Sequence, residues 1–194
     1  EFKGAWCHSG DGAGGGWHDS IRRFRVSGFN AMFANVMNAG MAWFPTHRLP
    51  GSASVERGGD PMRDFVDACG EYGVQAHAWI MCFRIGDNPA PEFVARMKKA
   101  QRLQQGVDGK INEQWLCPNN PENQRMLLDA IDEMVAKYAI AGVHLDYIRY
   151  PGPDFCFCPE CRAQFEKSIG RSVADWPRSV RGGGRLNREW LEFR

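Results

Sequence analysis

The chain has 194 residues with 24 basic and 23 acidic side chains, so its formal net charge at pH 7 is +1. This balance lacks the excess of Lys and Arg typical of nucleic-acid and membrane-surface proteins, and we expect neither partner. The 43% hydrophobic content supports one sizeable core, and no run approaches the roughly 20 apolar residues of a membrane span. A complete eight-stranded β/α barrel needs on the order of 250 residues, so a full barrel of ordinary size is excluded.

The first half of the sequence alternates predicted strands and helices. Residues 2–8 predict a strand, and residues 17–26 predict a helix because their apolar side chains recur at near-helical spacing. A mostly apolar strand of the buried, parallel type follows at residues 29–36. Asp60 as a cap and Pro61 in the first helical position then predict the start of a second helix.

The second half continues the alternation. Residues 74–81 predict a third strand and residues 91–103 a helix. Asn120 followed by Pro121 predicts a long helix, and residues 140–146 predict the fourth strand. We expect the long helix to pack one apolar stripe into the core: Leu127, Leu128, Ile131, Met134, Val135 and Tyr138.

The pattern changes after residue 151. A Cys-rich loop leads to a short helix at residues 162–168 and a helix-like stretch at residues 186–194, and no fifth strand is recognisable. Strands that alternate with helices imply a parallel sheet with right-handed crossovers. The predicted fold class is therefore α/β, with four parallel strands.

Catalytic groups in parallel α/β folds project from the carboxyl ends of the strands, so these ends matter most. In the fourth strand, side-chain alternation places Ala141, Val143 and Leu145 under the helices. His144 and Asp146 then lie on the opposite face, with Asp146 at the carboxyl end. The same alternation turns polar and aromatic side chains of the other strands inward: Trp6, His8, Asn35, Gln75, His77 and Trp79.

These inward side chains favour a pocket for a polar ligand. Indole rings stack on the C–H faces of sugars, while His, Asn and Asp form directional hydrogen bonds with hydroxyl groups. Any single inward His or Trp is equally consistent with a core residue whose hydrogen bonds are satisfied. Several of them at the same strand ends favour the pocket.

Asp146 is the strongest candidate for a catalytic residue. Tyr147 and Arg149 follow it closely, and an Arg beside a carboxylate keeps that carboxylate ionised, as a nucleophile or general base requires. The alternative is a structural Asp–Arg pair that anchors the loop.

The cysteines form a second group. Cys156, Cys158 and Cys161 make a C-x-C-x-x-C cluster, and Cys117 lies upstream, just before a predicted helix. Four thiolates complete a tetrahedral zinc site, whereas disulfides or reduced thiols are the alternatives. We expect the remaining cysteines to be small buried hydrophobic residues: Cys7, Cys69 and Cys82.

Residues 10–15 match the pattern G-x-G-x-x-G between a predicted strand and helix. A dinucleotide site would also need an acidic residue after the second strand, where this chain has Asn35 and Asn38, and a tighter turn. We therefore expect a flexible active-site loop at residues 10–15.

Five short motifs are spread over nearly the whole chain: KGAW at residues 3–6, GFNA at 28–31, HAW at 77–79, WLCP at 115–118 and GVHLDYIRYP at 142–151. In this order they resemble glycosyl-hydrolase-like family ten, and the last motif is the most specific. This chain departs from the family at residues 35–40, where NVMNAG replaces the usual Gln-Val-Arg-Pro pattern.

The resemblance implies a TIM-barrel glycosidase that is incomplete, with about the first four β/α units and a Cys-rich loop after the fourth strand. It implies that Asp146 is the active-site carboxylate. From the residues themselves we expect Arg149 and Tyr147 to set its charge and orientation. We expect the carbohydrate subsite to comprise Trp6, His8, Asn35, His77, Trp79, His144 and Tyr147. Many members of that family are extracytoplasmic, and some act on bacterial cell-wall glycans, so we expect an extracytoplasmic location.

Glycoside hydrolysis usually needs two carboxyl groups. Asp11, Asp87 and Asp154 lie in loops on the correct side, but no spacing rule selects one of them, and the general acid stays unassigned. The alternative function is a non-catalytic carbohydrate-binding or inactive barrel fragment.

The cysteine cluster is similar to the structural zinc site of family forty-two β-galactosidases. This similarity favours a closed zinc site, built from Cys117, Cys156, Cys158 and Cys161, over a disulfide. Such a site would pin the loop after Asp146.

Position 1 is Glu rather than Met and no signal peptide opens the chain, so we expect a mature, processed or excised piece. Residues 1–194 would form the N-terminal portion of a (β/α)8 barrel whose C-terminal half is absent. We expect the remaining half, or a self-association partner, to complete the sheet.

Overall fold

A computed structural model describes all 194 residues of the chain. In chain order the elements are β1 (Gly4–Cys7), α1 (Gly16–Val26), β2 (Ala31–Asn38), β3 (Met41–Ala42), α2 (Ala53–Glu56), α3 (Pro61–Tyr72), β4 (Gln75–Met81), α4 (Pro91–Lys99), β5 (Leu103–Gln105), β6 (Ile111–Leu116), α5 (Pro121–Lys137), β7 (Gly142–Asp146), α6 (Pro159–Ile169), a 3-10 turn (Arg178–Val180) and α7 (Asn187–Phe193). None of the helices combines the length and apolar character that crossing a lipid bilayer demands.

The main sheet contains the four parallel strands expected from the sequence. Their order is β1-β2-β4-β7, and the short β3 pairs antiparallel with β2. The parallel register is continuous from β1 to β7, interrupted by an irregularity between Asn35 and Met37. The prediction of an α/β fold with a parallel sheet is therefore confirmed, and β1 and β7 form the two edges of an open sheet.

The helix starts that the sequence marked are capped as predicted. The Asp60 carboxylate accepts a hydrogen bond from the Arg63 backbone N–H at 3.0 Å, and Pro61 opens α3. The Asn120 side chain accepts from the Asn123 backbone N–H at 3.1 Å, just before α5. Each cap satisfies a backbone donor that the first helical turn leaves without an intrahelical partner.

Two predicted elements were too long by three residues or more. The first strand covers Gly4–Cys7 rather than residues 2–8, because only these residues pair with β2. The helix predicted at residues 91–103 ends at Lys99, and Gln101 takes a left-handed conformation with φ of 55°. Such a residue stops the helical hydrogen-bond pattern, so the chain turns into β5.

The β5–β6 hairpin was not predicted. Its strands pair antiparallel, and the turn is closed by a hydrogen bond from the Gly106 N–H to the Lys110 carbonyl at 2.8 Å. Asp108 followed by Gly109, which has φ of 81°, is a turn signal that could have revealed it. The Leu116 N–H donates to the Phe83 carbonyl at 2.9 Å, which joins the hairpin to the segment after β4.

Two hydrophobic clusters stabilise the chain. The larger lies between the outer face of the sheet and the helices, with Phe65 of α3 and Ile21 of α1 fully buried in it. The smaller is formed by the four clustered cysteines and by aromatic and aliphatic residues from 157 onward, with Phe165 and Trp190 at its centre. We call this second body the Cys lobe; it includes α6 and α7.

The outer face of β7 is not covered as predicted. Val143 is 37% exposed and Leu145 48% exposed, because α6, the first helix after β7, packs in the Cys lobe instead of returning over the sheet. The predicted apolar stripe of α5 is likewise divided. Leu127, Met134 and Tyr138 are buried, whereas two of its members are exposed: Leu128 at 59% and Val135 at 49%.

Candidate active site and metal centre

Side-chain alternation places the predicted site residues on the inner face of the sheet, in layers. The pairing of the strands aligns Asn35 with Trp79 and Trp79 with His144. Asp146 lies one layer closer to the carboxyl ends, opposite Met81. The carboxylate therefore lies at the edge of the sheet where parallel α/β folds place their active sites.

Both oxygens of the Asp146 carboxylate accept hydrogen bonds. The backbone N–H of Tyr147 donates to Oδ1 at 2.7 Å, and the indole N–H of Trp79 donates to Oδ2 at 3.1 Å. Asp146 is half-buried, so the remaining lone pairs face an accessible space. Tyr147 holds a left-handed φ of 53°, which is a strained conformation for a residue with a side chain and is frequent at functional sites.

Trp79 is held from two sides. Its side chain is nearly inaccessible, with Trp79 5% exposed, and the exposed His8 ring meets it edge to face at 4.6 Å. The buried Asn35 amide donates to the Trp79 carbonyl at 3.3 Å and to the Met37 carbonyl at 3.4 Å. The side-chain N–H groups of Asn35 are thus hydrogen-bonded to backbone carbonyls within the sheet, one of them in β4.

A deeper aromatic layer contains two further predicted residues, Trp6 and His77, and the His144 ring reaches into it. Phe33, which the sequence reasoning missed, lies at its centre: the Trp6 ring stacks on it at 5.1 Å and the His77 ring at 4.5 Å. The His144 ring contacts Phe33 edge to face at 5.6 Å. Burial, with a smaller contribution from His144, holds the pKa of His77 below its ordinary value. This layer lies below Asp146, toward the amino ends of the strands.

Arg149 does not form the ion pair with Asp146 that the sequence suggested. Its guanidinium lies over the ring of Tyr147, 4.9 Å from the centroid, and Arg84 approaches the same ring at 5.7 Å. A cation above an aromatic face is attracted by the ring quadrupole, and Arg149 is exposed. The orientation of Asp146 is therefore set by Trp79 and the Tyr147 backbone.

The three loop carboxylates considered as the second acid each contact another side chain. Asp11 accepts from the Trp43 indole at 3.2 Å, Asp154 pairs with Arg181 at 3.1 Å, and Asp87 pairs with Arg84. None of these contacts links a second carboxylate to Asp146.

The Gly-rich loop at residues 10–15 is hydrogen-bonded to the helix that follows it, α1. The Trp17 indole donates to the Gly10 carbonyl at 3.0 Å, and Arg23 donates to the Ala13 carbonyl at 3.1 Å. The Ala13 N–H in turn donates to the Ser20 hydroxyl at 2.9 Å. Backbone groups of the loop are therefore hydrogen-bonded to side chains of α1.

The four predicted cysteines converge. The Sγ atoms of Cys117, Cys156, Cys158 and Cys161 all lie within 4.8 Å of one another, and all four residues are buried. The Cys117 Sγ lies 3.4 Å from the Sγ of Cys158 and 3.4 Å from that of Cys161. Four ligands at about 2.3 Å around a tetrahedral metal would lie about 3.8 Å apart, so the cluster has the size of a metal site.

N–H groups surround the sulfur atoms. Gln105 donates its backbone N–H to Cys156 at 3.3 Å, and the Asn119 side chain donates to Cys161 at 3.5 Å. Cys158 caps α6 and accepts from the Cys161 backbone N–H at 3.5 Å. Such donors stabilise thiolates, which are the form that binds metal. These residues could therefore hold a metal ion.

The remaining cysteines follow the sequence expectation in part. Cys69 and Cys82 are buried, and burial raises the pKa of the Cys69 thiol to about 12 and that of the Cys82 thiol to about 11. Cys7 is only partly buried and packs against the main core.

Residues 17–180 match the family described as Glycosyl hydrolase-like 10. Among curated relatives, the chain is 25% identical over 152 residues to Glycosyl hydrolase DigH of Escherichia coli strain K12, covering 69% of this chain and 35% of the relative. It is 26% identical over 165 residues to Glycosyl hydrolase YngK of Bacillus subtilis, covering 78% and 32%, and 26% identical over 159 residues to an S-layer-related protein of Niallia circulans, covering 70% and 10%. The chain thus spans about a third of the length of the first of these relatives.

Solved structures show the fold. A β-galactosidase from the psychrophilic Marinomonas ef1 superposes with a TM-score of 0.64 and 14% identity, covering 88% of this chain and 25% of that chain. A β-N-acetylhexosaminidase from Bacteroides fragilis superposes with a TM-score of 0.56 and 15% identity, covering 99% and 38%. The predicted fold, part of a TIM barrel, is confirmed.

Proposed function

This chain belongs to the glycosyl hydrolase-like 10 family, and from that premise we propose that it hydrolyses O-glycosidic bonds of an oligo- or polysaccharide. Asp146 serves as nucleophile or general base. The observation that carries the proposal is a half-buried carboxylate at the carboxyl end of β7, with one N–H donor on each oxygen. A single donor on each oxygen leaves lone pairs free for a substrate or a water molecule, as both roles require.

The surroundings of Asp146 suit a sugar. His8 is exposed beside Trp79, and the Tyr147 ring, flanked by two guanidinium groups, is half-buried. We assign His8 and Tyr147 to direct substrate contact, because the His8 ring nitrogens and the Tyr147 hydroxyl can form hydrogen bonds with sugar hydroxyl groups. Arg149 acts through Tyr147, whose ring it covers. The deeper rings of Trp6, His77 and His144 form the floor of the site.

The test is hydrolysis by the Asp146→Asn variant. A panel of fluorogenic aryl glycosides, together with a reducing-end assay on polysaccharides, first identifies a responsive substrate. The variant should then lose activity by on the order of a thousandfold, because the amide is neither nucleophile nor base. Asp154→Asn, the same side-chain change at an exposed loop position, is the control and should keep its rate. Wild-type rates in Asp146→Asn would refute the assignment.

A second candidate function is carbohydrate binding without turnover. It is favoured by the contacts of Asp11, Asp87 and Asp154, which are with Trp43, Arg84 and Arg181 rather than with Asp146, so that no general acid is assigned. Glycoside hydrolysis usually requires that acid. Calorimetric binding of an oligosaccharide that is never cleaved would support this second function over the first.

We propose that the four-cysteine cluster binds a structural zinc ion through Cys117, Cys156, Cys158 and Cys161. Support comes from the all-sulfur donor set, the spacing of the Sγ atoms and the N–H donors around them. When bound, zinc supplies four bonds that join the end of β6 to the start of α6. With four protein ligands it offers no open position, so its role is to hold the Cys lobe against the hairpin.

We also propose that the four β/α units form the N-terminal portion of a (β/α)8 glycosidase-like barrel. Both edge strands, β1 and β7, have one neighbour each, and the outer face of β7 is exposed at Val143 and Leu145. Further strands of a longer polypeptide, or a second copy, would pair with these edges. Hydrogen exchange provides the test: edge amides that stay unprotected when the sequence is extended would contradict it.

The proposed location is extracytoplasmic. It is supported by the family relationship and by the similarity to an S-layer-related protein. Fractionation of producing cells, with antibody detection of this chain, tests the proposal.

A further inference from the structure

We propose that Trp79 is a positioning residue that fixes the Asp146 carboxylate for reaction, rather than a platform on which a sugar stacks. The inference rests on the function proposed above, because it concerns the same carboxylate. The contact between the two side chains joins neighbouring strands and spans 67 residues of sequence.

The burial of Trp79 argues against a role as a platform on which a sugar stacks. A ring that stacks on a sugar must present an accessible face, but Trp79 is 5% exposed, and the His8 ring covers it edge to face at 4.6 Å. Trp6, by contrast, is 54% exposed. The part of Trp79 that reaches the candidate active site is its N–H group, which points at Oδ2 of Asp146.

The backbone of Trp79 is fixed independently of its side chain. Its strand pairs with β2 on one side and with β7 on the other, and Trp79 itself is in register with His144. The Asn35 amide donates to the Trp79 carbonyl at 3.3 Å from within the sheet. The indole is therefore a donor on a rigid element, which is what accurate placement of a reacting group requires.

The second donor explains why Trp79 matters. The terminal torsion of an Asp side chain is soft, so a single hydrogen bond leaves the carboxylate plane free to turn. The Tyr147 N–H holds Oδ1 and the Trp79 indole holds Oδ2, and together they define that plane. Each oxygen keeps lone pairs for a substrate or a water molecule, so the two donors orient the carboxylate without blocking it.

A spectroscopic experiment tests the contact without any substrate. The chain contains seven Trp residues, so a sample labelled with ¹⁵N-tryptophan gives seven indole N–H signals, and the signal missing in Trp79→Phe identifies Trp79. In Asp146→Asn, the Trp79 indole proton should move to lower frequency, because a neutral amide replaces a charged acceptor. The other indole signals should stay in place and report an intact fold.

Asp154→Asn is the matched control, and it should leave the Trp79 signal unmoved. A Trp79 indole signal that ignores Asp146→Asn would overturn the proposal. This outcome is independent of the proposed function, because it needs neither a substrate nor catalysis.

An activity measurement separates positioning from stacking, using the fluorogenic glycoside that responds best to the wild-type chain. Trp79→Phe, which keeps a ring but removes the donor, should lower kcat about tenfold to a hundredfold, as expected for a lost charge-assisted hydrogen bond, with KM within about twofold. Trp79→His, which restores a ring N–H, should recover part of kcat. A raised KM with unchanged kcat would identify a stacking role and contradict the proposal.

Absence of hydrolysis by the wild-type chain across the whole panel would count against the proposed function. The indole signals would still decide whether Trp79 donates to Asp146.

Discussion

The Sγ atoms of Cys117 and Cys158 lie 3.4 Å apart although 41 positions separate the two residues in the sequence. Cys117 follows the end of β6, and Cys158 caps the start of α6. Their contact therefore joins the unpredicted hairpin to the Cys lobe. The contact closes a loop of the chain between Cys117 and Cys158, and this loop contains α5 and β7, the strand that bears Asp146.

The first prediction concerns the metal. Cys117→Ser should reduce bound zinc, measured by mass spectrometry after purification, from about one ion per chain to a small fraction, because one of four sulfur ligands is lost. Treatment of the wild-type chain with a chelator should lower its thermal unfolding temperature. Cys69→Ala, a buried cysteine outside the cluster, should keep its metal. Full zinc content in Cys117→Ser would show that the cluster does not bind metal as described.

The second prediction concerns Asn123, which is fully buried. Its amide donates to the carbonyl oxygens of Cys117 at 2.8 Å and Arg102 at 2.9 Å, and its oxygen accepts from the Arg102 guanidinium at 2.7 Å. Asn123→Ala removes these three hydrogen bonds and should lower the free energy of unfolding by about 3 kcal/mol in urea denaturation. Gln124→Ala, on the exposed side of the same turn, should change it by about 0.5 kcal/mol or less. Equal effects of the two changes would contradict the assigned role.

The third prediction compares two glycines of the same helix. Gly73 ends α3 in the left-handed conformation, with φ of 61°, whereas Gly70 lies inside the helix with open space at its Cβ position. Gly73→Ala should destabilise the chain by about 1 kcal/mol. Gly70→Ala should stabilise it by about 0.5–1 kcal/mol, because Ala has the higher helix propensity. Chemical denaturation measures both, and effects of the same sign would refute this account of the α3 terminus.

The fourth prediction concerns pH. Burial, and to a lesser extent the charge of His144, lowers the pKa of His77 from its ordinary value of 6.5. The unfolded chain therefore takes up this proton more readily, so stability is present above about pH 6.5 and is lost as the pH falls through the lower, folded value. The loss of unfolding free energy between pH 7.5 and 5 should be smaller in His77→Gln than in the wild type. His47→Gln, at an exposed position, should keep the wild-type pH dependence; identical profiles for His77→Gln and the wild type would contradict the prediction.

Local chemistry made much of the fold predictable. The start of α3 at Asp60 and Pro61 depends on a side-chain oxygen three residues from its donor and on the fixed φ of proline. Alternation in β4 and β7 placed Trp79 and Asp146 on one face because side chains of a strand alternate by geometry. The β5–β6 hairpin was missed because its strands are short and its apolar pattern is weak, although Asp108-Gly109 carries the turn signal.

The sequence by itself determined which residues line the inner face, which cysteines form a cluster and which family the motifs resemble, since each depends on residue type and short spacing. Only the tertiary structure decided which groups orient Asp146. The sequence suggested Arg149, three residues away, but the strand pairing brings the Trp79 indole to Oδ2 and leaves Arg149 over the Tyr147 ring. The reason is physical: contacts between neighbouring strands depend on register and side-chain direction, which a one-dimensional spacing does not contain.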